Sequence, residues 1–225
     1  MEPHSDARGD AAVRVLIVDD HGLYRTGIAT LLAAEDGIEV VAQASGGRVG
    51  VRLSRELRPD VVLMDLQMPD LDGVEATRLI LAEQPATRVL VLTVVSDEDK
   101  VSAALGAGAS GFLLKDTPVD QVAMAVRAAA DGSAWLSPRA AEIVLGRMRE
   151  TEPGSLADSS LLEQLSPREL DVLELLARGM ENAKIADELE ISPRTVKNHV
   201  SSILGKLGLT SRLQAAIYAV RRGFA

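Results

Sequence analysis

Short apolar runs alternate with longer amphipathic stretches through the first 131 residues of the chain. The runs are rich in β-branched residues and predict strands at Val13–Val18, Ile38–Ala44, Val61–Met64, Arg88–Thr93 and Gly111–Leu114. The stretches between them predict helices at Gly22–Ala34, Arg48–Leu57, Gly73–Glu83, Asp97–Gly106 and Pro118–Ala130. Because the strands are continuously apolar, both of their faces are expected to be buried. Five strand–helix units predict an α/β domain at 13–131, with a five-stranded parallel sheet between layers of helices.

The pattern changes in the second half of the chain. Residues 132–164 are rich in turn-forming residues and predict a linker, with room for a short helix at Arg139–Arg149. Residues 165–225 predict four helices and no strand, which indicates a second, all-α domain. Polar residues typical of helix caps precede these helices, namely Ser166, Asn182, Ser192 and Ser211. Glu169 and Gln214 complete capping boxes at the first and the fourth. The two middle helices are short and closely joined, as in a helix-turn-helix.

Composition limits the class of protein. The chain has no cysteine, which excludes disulfides and thiolate metal sites. Apolar residues make up 47% and aromatic residues only 2%, so aliphatic side chains must build the cores. No apolar run reaches the roughly 18 residues that a membrane span needs. Residues 1–12 are polar, unlike a signal peptide, and are expected to form a disordered tail on a cytoplasmic protein.

Charge is distributed unevenly between the two halves. The net charge is −9, which is unusual for a protein that binds nucleic acid. Residues 166–225, however, hold nine Lys/Arg and seven Asp/Glu, a net of +2, so residues 1–165 carry −11. The last 33 residues contain six basic residues and no acidic one. An acidic first domain and a basic C-terminus indicate two domains with different partners.

Charged and hydroxyl residues follow four of the predicted strands. Asp19 and Asp20 come after the first strand, Asp65 after the third, Thr93 ends the fourth and Lys115 follows the fifth. A lone Asp after a strand is often only a helix cap, but parallel strands deliver all these groups to one edge of the sheet. Carboxylates held close together favour a divalent cation, and oxygen ligands favour Mg²⁺. An Asp nucleophile beside Mg²⁺ and an ammonium group is a site for phosphoryl transfer.

Three segments resemble the motifs of bacterial response-regulator receivers, whose fold is a flavodoxin-like, doubly wound α/β sandwich. They are Val15-Leu-Ile-Val-Asp-Asp-His21, Asp65-Leu-Gln-Met-Pro-Asp-Leu-Asp-Gly73 and Gly111-Phe-Leu-Leu-Lys115. The resemblance implies that Asp65 accepts the phosphoryl group and that Lys115 contacts it. It also implies that Mg²⁺ is held by Asp19, Asp20, Asp65 and the backbone carbonyl of Gln67. Thr93 and Phe112 are then the switch pair. Val94 is larger than the residue the family prefers there, which predicts narrower access to Asp65 and slower phosphoryl loss.

Two alternatives share this fold. Phosphatases with an Asp nucleophile place a second acid two residues later, where this chain has Gln67, so an enzyme of that kind is not expected. An FMN-binding protein would need a phosphate loop after the first strand, where Asp19 and Asp20 repel phosphate. The histidines His4, His21 and His199 are scattered over the tail, the first helix and the second domain, and are not expected to form a metal site.

The third helix of the second domain has two stripes. Val196, Val200, Ile203, Leu204 and Leu207 recur at helical spacing and are expected to be buried. A polar stripe contains Arg194, Lys197, Asn198, Ser201 and Gly205. Such a face can simply be solvated, but a preceding short helix and the basic C-terminus favour contact with DNA.

Two longer segments in this half resemble the LuxR-type helix-turn-helix. They run from Leu165 to Gly179 and from Ile185 to His199. The resemblance places Lys197, Asn198 and Ser201 at base-contacting positions. It places Lys184, Arg194 and Thr195 at phosphate-contacting positions and makes the fourth helix the dimer contact. Gly205 departs from a frequent basic residue.

Together the two resemblances indicate a response regulator of the NarL/FixJ type, a transcription regulator rather than an enzyme. The implied partners are a sensor histidine kinase, double-stranded promoter DNA and a second copy of the chain, with RNA polymerase as a further candidate. Phosphorylation of Asp65 is expected to drive dimerisation on a two-fold operator. The alternative is the same architecture switched without phosphorylation.

Overall fold

A six-stranded parallel sheet organises the first domain of the computed structural model, which describes residues 12–94, 98–136 and 162–224. The strand order is β2-β1-β3-β4-β5-β6. The strands are β1 Val13–Val18, β2 Ile38–Ala44, β3 Val61–Asp65, β4 Arg88–Thr93, β5 Gly111–Leu114 and β6 Trp135–Leu136. The first-domain helices are α1 Gly22–Ala33, α2 Gly47–Leu57, α3 Gly73–Glu83, α4 Glu98–Gly106 and α5 Val119–Ala130. The predicted α/β architecture is confirmed.

Both faces of the sheet are buried, as the continuous apolar runs predict. On one face, Ile17 and Leu63 pack against α1 and α5. On the other face, Val18 and Met64 pack against α2 and α3. Phe112 lies on that second face too, against α4. The short β6 pairs with β5 just beyond the five predicted strands, inside the stretch predicted as a linker. The predicted helix Arg139–Arg149 and residues 1–11 of the predicted tail lie outside the described residues.

Four helices form the second domain. They are α6 Pro167–Ala177, α7 Asn182–Glu188, α8 Pro193–Leu207 and α9 Arg212–Arg221. The capping box of Ser166 and Glu169 is present at α6, and the Ser192 hydroxyl caps α8 by accepting the Thr195 N–H. Helix α8 ends at Gly208, whose φ of 65° lies in the left-handed region that glycine adopts without strain. None of the described helices is long and apolar enough to cross a membrane.

Two of the predicted caps are wrong in detail. Asn182 is the first residue of α7 rather than its cap, and its side chain instead donates to the Asp131 carbonyl at 3.1 Å. Ser211 caps α9, but the Gln214 side chain accepts from the Thr210 N–H, so only half of that capping box forms. The Asn182 amide thus bonds the first domain, and the Gln214 oxygen bonds the residue before the N-cap instead of the N-cap itself.

The two domains pack directly against each other. Leu213 of α9 is buried in the same apolar cluster as Phe112 and Val101 of the first domain. The Gln214 side chain donates to the carbonyl of Leu105 at 2.6 Å, at the end of α4. Thr210 lies so close to Gly108 that a Cβ on that glycine would be 2.7 Å from the threonine hydroxyl. The described arrangement is therefore a closed one, in which α9 is seated on α4.

Candidate functional site

Polar side chains from four adjacent strands meet at one edge of the sheet. Asp19 and Asp20 follow β1, Asp65 ends β3, Thr93 ends β4 and Lys115 follows β5. These strands are neighbours in the order β1-β3-β4-β5 and all run parallel, so their carboxyl ends share an edge. The structure thus brings together the groups that the strand polarity predicts. We call Asp19, Asp20 and Asp65 the acid cluster.

Lys115 joins two members of the acid cluster. Its Nζ lies 2.8 Å from Asp65 Oδ2 and 2.8 Å from Asp19 Oδ2. The side chains of Asp19 and Asp65 are 0% and 2% exposed, so this ammonium group is the charge that compensates them inside the protein. Burial raises the pKa of Asp65, although the Lys115 hydrogen bond and charge oppose this. Burial would lower the pKa of Lys115, but the two carboxylates outweigh it and raise that pKa.

The acid cluster has the donor set of a divalent cation site. Among the described residues, Asp19 Oδ2 and Asp20 Oδ1 are buried without a hydrogen-bond partner. Lys115 and His21 lie at ion-pair distance from these two oxygens but are not in hydrogen-bond geometry. Three carboxylates beside the single positive charge of Lys115 leave an excess of negative charge, so these residues fit Mg²⁺. Beside them, the Gln67 N–H donates to Asp65 Oδ1 at 3.3 Å, which places the Gln67 peptide next to the cluster.

The loop after β3 is held tightly around Asp65. A Cβ added to Gly73 would lie 2.0 Å from the Asp65 carbonyl oxygen, so only glycine fits at the start of α3. Asp72 caps α3 by accepting the Glu75 N–H at 2.9 Å. Asp70 accepts the N–H groups of the first turn of α2. The carboxylates of this motif that follow Asp65 therefore serve as helix caps, unlike those of the acid cluster.

Three residues near the acid cluster were not predicted as part of it. His21 lies against the cluster through its Nδ1 atom, although the histidines were expected to take no part in a metal site. The Tyr24 ring lies 5.2 Å from Lys115 Nζ, and burial followed by the nearby acids raises the pKa of Tyr24 to about 12. Arg25 Nη1 donates to the Asp19 carbonyl at 2.5 Å. All three lie at the start of α1, where the sequence signal is only their nearness to Asp19 and Asp20.

The predicted switch pair occupies the adjoining strands. Thr93 is 7% exposed, and its hydroxyl donates to the Val94 carbonyl at 3.3 Å. Phe112 is fully buried under α4, next to Leu213 of the second domain. Val94 is 56% exposed. Phe112 therefore belongs to the apolar contact between the two domains.

The predicted DNA-contacting residues lie mostly on exposed surface. Lys184 on α7 is exposed, as are four predicted contacts and Gly205 along α8, namely Arg194, Lys197, Asn198, Ser201 and Gly205. Thr195 is only half-buried, and its hydroxyl lies 2.8 Å from that of Ser192. The opposite stripe of α8 packs in the domain core, with Leu204 only partly buried. Helix α8 thus presents the predicted polar face.

A buried glutamate fixes α8 to α6. Glu169, which is 4% exposed, accepts the Ser166 N–H at 2.7 Å. It also accepts the Ser202 hydroxyl at 2.6 Å and the Lys206 ammonium at 2.6 Å, both from α8. The capping-box motif predicts only the first of these contacts. Glu169 therefore positions the helix that carries the predicted base-contacting residues.

The closed arrangement places the start of α8 beside the first domain. Arg194 and Lys197 line one open depression together with Asp131 and Ser133, which follow α5. A Cβ on Gly132 would lie 3.8 Å from the Lys197 Cε atom. The start of the predicted DNA-binding helix thus faces the first domain across this depression, with Arg194 and Lys197 still exposed.

Comparisons with known proteins agree across both domains. Residues 15–127 match the family described as the response regulator receiver domain, and residues 163–219 match the bacterial regulatory proteins of the luxR family. The transcriptional regulatory protein LiaR of Bacillus subtilis is 44% identical over 209 residues, covering 93% of this chain and 97% of LiaR. The response regulator VraR of Staphylococcus aureus is 40% identical over 207 residues, covering 92% of this chain and 96% of VraR. The crystal structure of response regulator ChrA, from a heme-sensing two-component system, has 35% identity and a TM-score of 0.53, covering 96% of this chain and 100% of ChrA.

Proposed function

Because the chain belongs to the two-component response regulators that join a receiver domain to a luxR-type DNA-binding domain, we propose that phosphorylation of Asp65 switches its binding to promoter DNA. This family consists of transcription regulators and not of enzymes. The observation that carries the proposal is the Lys115 ammonium, placed 2.8 Å from both Asp65 and the buried Asp19. That contact sets a nucleophile and a charge-neutralising group side by side.

The chemistry assigned to the site is transfer of one phosphoryl group. An Asp65 carboxylate oxygen attacks phosphorus, the bond from phosphorus to the donor breaks, and the donor leaves with the electron pair. Lys115, freed from Asp65 Oδ2, donates to a phosphoryl oxygen. Asp19, Asp20, Asp65 and the Gln67 carbonyl would hold Mg²⁺, which when bound neutralises charge on the transferred group. The donor is the phosphohistidine of a sensor kinase.

Transmission of the signal is assigned to Thr93 and Phe112. The Thr93 hydroxyl makes only a 3.3 Å hydrogen bond to Val94, so a phosphoryl oxygen on Asp65 offers it a stronger, charged acceptor. Movement of Thr93 towards that acceptor leaves space that Phe112 fills. Since Phe112 shares a cluster with Leu213, its displacement would loosen the seat of α9 on α4. Phosphorylation then favours an open form.

The open form is the one proposed to bind DNA as a dimer. Separation of the domains moves the loop at Asp131 away from the start of α8, where Lys197, Asn198 and Ser201 contact bases. Lys184, Arg194 and Thr195 contact phosphates. Release from α4 also frees α9, the proposed dimer contact, so a two-fold site in promoter DNA is the expected target. RNA polymerase is a candidate partner at that promoter.

Phosphorylation and DNA binding are tested together on the full chain. Wild-type protein is incubated with a small-molecule phosphodonor and Mg²⁺, followed by intact-mass measurement and titration onto an operator selected from random duplexes. We expect one phosphoryl adduct and tighter DNA binding. Asp65→Asn should lose both, whereas the control Asp72→Asn should keep both, because asparagine caps α3 as well as aspartate does. An adduct at wild-type level in Asp65→Asn, or DNA binding indifferent to the adduct, would contradict the proposal.

A further inference from the structure

The His21 imidazole lies close to all three carboxylates of the acid cluster. Its Nδ1 atom is 2.9 Å from Asp20 Oδ1, 3.3 Å from Asp19 Oδ1 and 3.9 Å from Asp65 Oδ2. One ligand atom from each of these four residues can be chosen so that all lie within 4.8 Å of one another. This nitrogen therefore belongs geometrically to the group of oxygens proposed to hold the cation.

The separations match the edges of a coordination octahedron. With metal–ligand bonds of about 2.1 Å, neighbouring ligands are about 3 Å apart and opposite ligands about 4.2 Å apart. The three distances from Nδ1 lie close to or within this range, so one ion can reach His21 and the carboxylates after only small shifts. A second observation is that Asp20 Oδ1, the carboxylate oxygen nearest to Nδ1, is buried and accepts no hydrogen bond from the described residues.

The contacts that hold the His21 ring in this place are those with the acid cluster itself. His21 is the N-cap residue of α1, but its side chain makes no capping hydrogen bond. Its backbone N–H donates to Asp19 Oδ1 at 2.8 Å, which ties the residue to the cluster whatever the ring does. The side chain is 65% exposed, so an ion arriving from solvent meets the imidazole at the mouth of the site.

We propose that His21 is a nitrogen ligand of the cation and shifts the preference of the site from Mg²⁺ towards first-row transition metals such as Co²⁺. Mg²⁺ prefers oxygen ligands, whereas imidazole nitrogen favours the later divalent metals of that row. The proposal rests on the acid cluster being the cation site of the proposed function. It adds a determinant of metal choice to a site otherwise made of oxygen ligands.

Calorimetric titration of the full chain with Co²⁺ and with Mg²⁺ tests the preference. The affinity for Co²⁺ divided by the affinity for Mg²⁺ should fall at least about tenfold in His21→Asn. Asparagine remains a good N-cap residue and replaces the imidazole nitrogen by an amide oxygen. His21→Ala should show the same fall, while the control His199→Asn should keep the wild-type ratio. An unchanged ratio in both His21 variants would overturn the proposal.

Pulsed electron paramagnetic resonance supplies a direct readout with Mn²⁺ as the probe. Nitrogen coordinated to Mn²⁺ modulates the echo, and we expect that modulation in wild-type protein but not in His21→Ala. Modulation of equal depth in both would show that His21 is not the ligand. The proposed function is judged separately, by phosphorylation of wild-type protein. If wild-type protein is not phosphorylated but its metal signal depends on His21, the phosphoacceptor assignment is refuted. The assignment of His21 as a nitrogen ligand is then still supported.

Discussion

Replacing Glu169 by glutamine should lower the free energy needed to open α8 away from the second domain by about 2–3 kcal/mol. The carboxylate accepts hydrogen bonds from Ser166, Ser202 and Lys206, and glutamine places a neutral amide among these donors. A hydrogen bond to a charged group contributes about 1.5–3 kcal/mol. Lys206 is 37% exposed and can be hydrated once its partner is neutral, so the full cost of a stranded buried charge does not arise.

The pKa of Glu169 determines how this effect depends on pH. Burial alone would raise it, but the hydrogen bonds from Lys206 and Ser202 outweigh burial and hold the pKa at about 2, below the usual 4.5. Because the folded carboxyl is the more acidic, its contribution is complete above about pH 4.5 and is lost as the pH falls towards 2. The wild-type protein and Glu169→Gln should therefore differ fully at pH 7 and converge at low pH.

Hydrogen exchange of the full chain, read by mass spectrometry, measures this locally. Peptides from α8 should lose roughly 30- to 150-fold in protection in Glu169→Gln, since about 1.4 kcal/mol corresponds to a factor of ten. Glu174→Gln is the matched control on α6, because the Glu174 side chain is 45% exposed and such a surface pair with Arg178 contributes about 0–1 kcal/mol. If α8 lost protection equally in both variants, the role assigned to Glu169 would be wrong.

Four further substitutions address the switch and the DNA-binding surface. Thr93→Ala should be phosphorylated as wild type is, but phosphorylation should raise its DNA affinity about fivefold less, as expected for one lost hydrogen bond. If a binding titration showed the full wild-type increase, Thr93 would not couple phosphorylation to DNA binding. Lys197→Ala should weaken binding to the selected operator by roughly 1–3 kcal/mol and relax the preference at one base pair. Lys184→Ala should instead weaken binding to all duplexes alike and lower the slope of affinity against salt by about one. Competition between duplexes at several salt concentrations separates these outcomes. Gly205→Arg should bind DNA more tightly with a steeper salt dependence, because a Cβ there would meet no atom of the described residues within 4 Å outside its own helix backbone and its chain neighbours. Weaker binding at two salt concentrations would show that the glycine is needed for close approach.

Much of the architecture follows from the sequence because it depends on local patterns. Continuous apolar runs specify strands buried on both faces, and these runs recur in the structure with bounds shifted by at most a residue. Strand polarity then determines which residues share an edge, so the sequence alone predicts that Asp19, Asp65 and Lys115 lie together. The capping box at Ser166 and the glycine end of α8 are likewise specified by neighbouring residues.

The tertiary structure decides which side chains from distant segments meet. Gln214 fits a local capping box by its spacing, yet its amide donates to Leu105, 109 positions away, since the closed packing of the domains offers that carbonyl. Asn182 leaves its predicted cap for the Asp131 carbonyl in the same way. His21 follows the two acids in sequence, but only the fold of α1 against the sheet turns its Nδ1 towards Asp65 as well. Local pattern sets the backbone of each element, whereas such contacts depend on packing between elements, which no local pattern encodes.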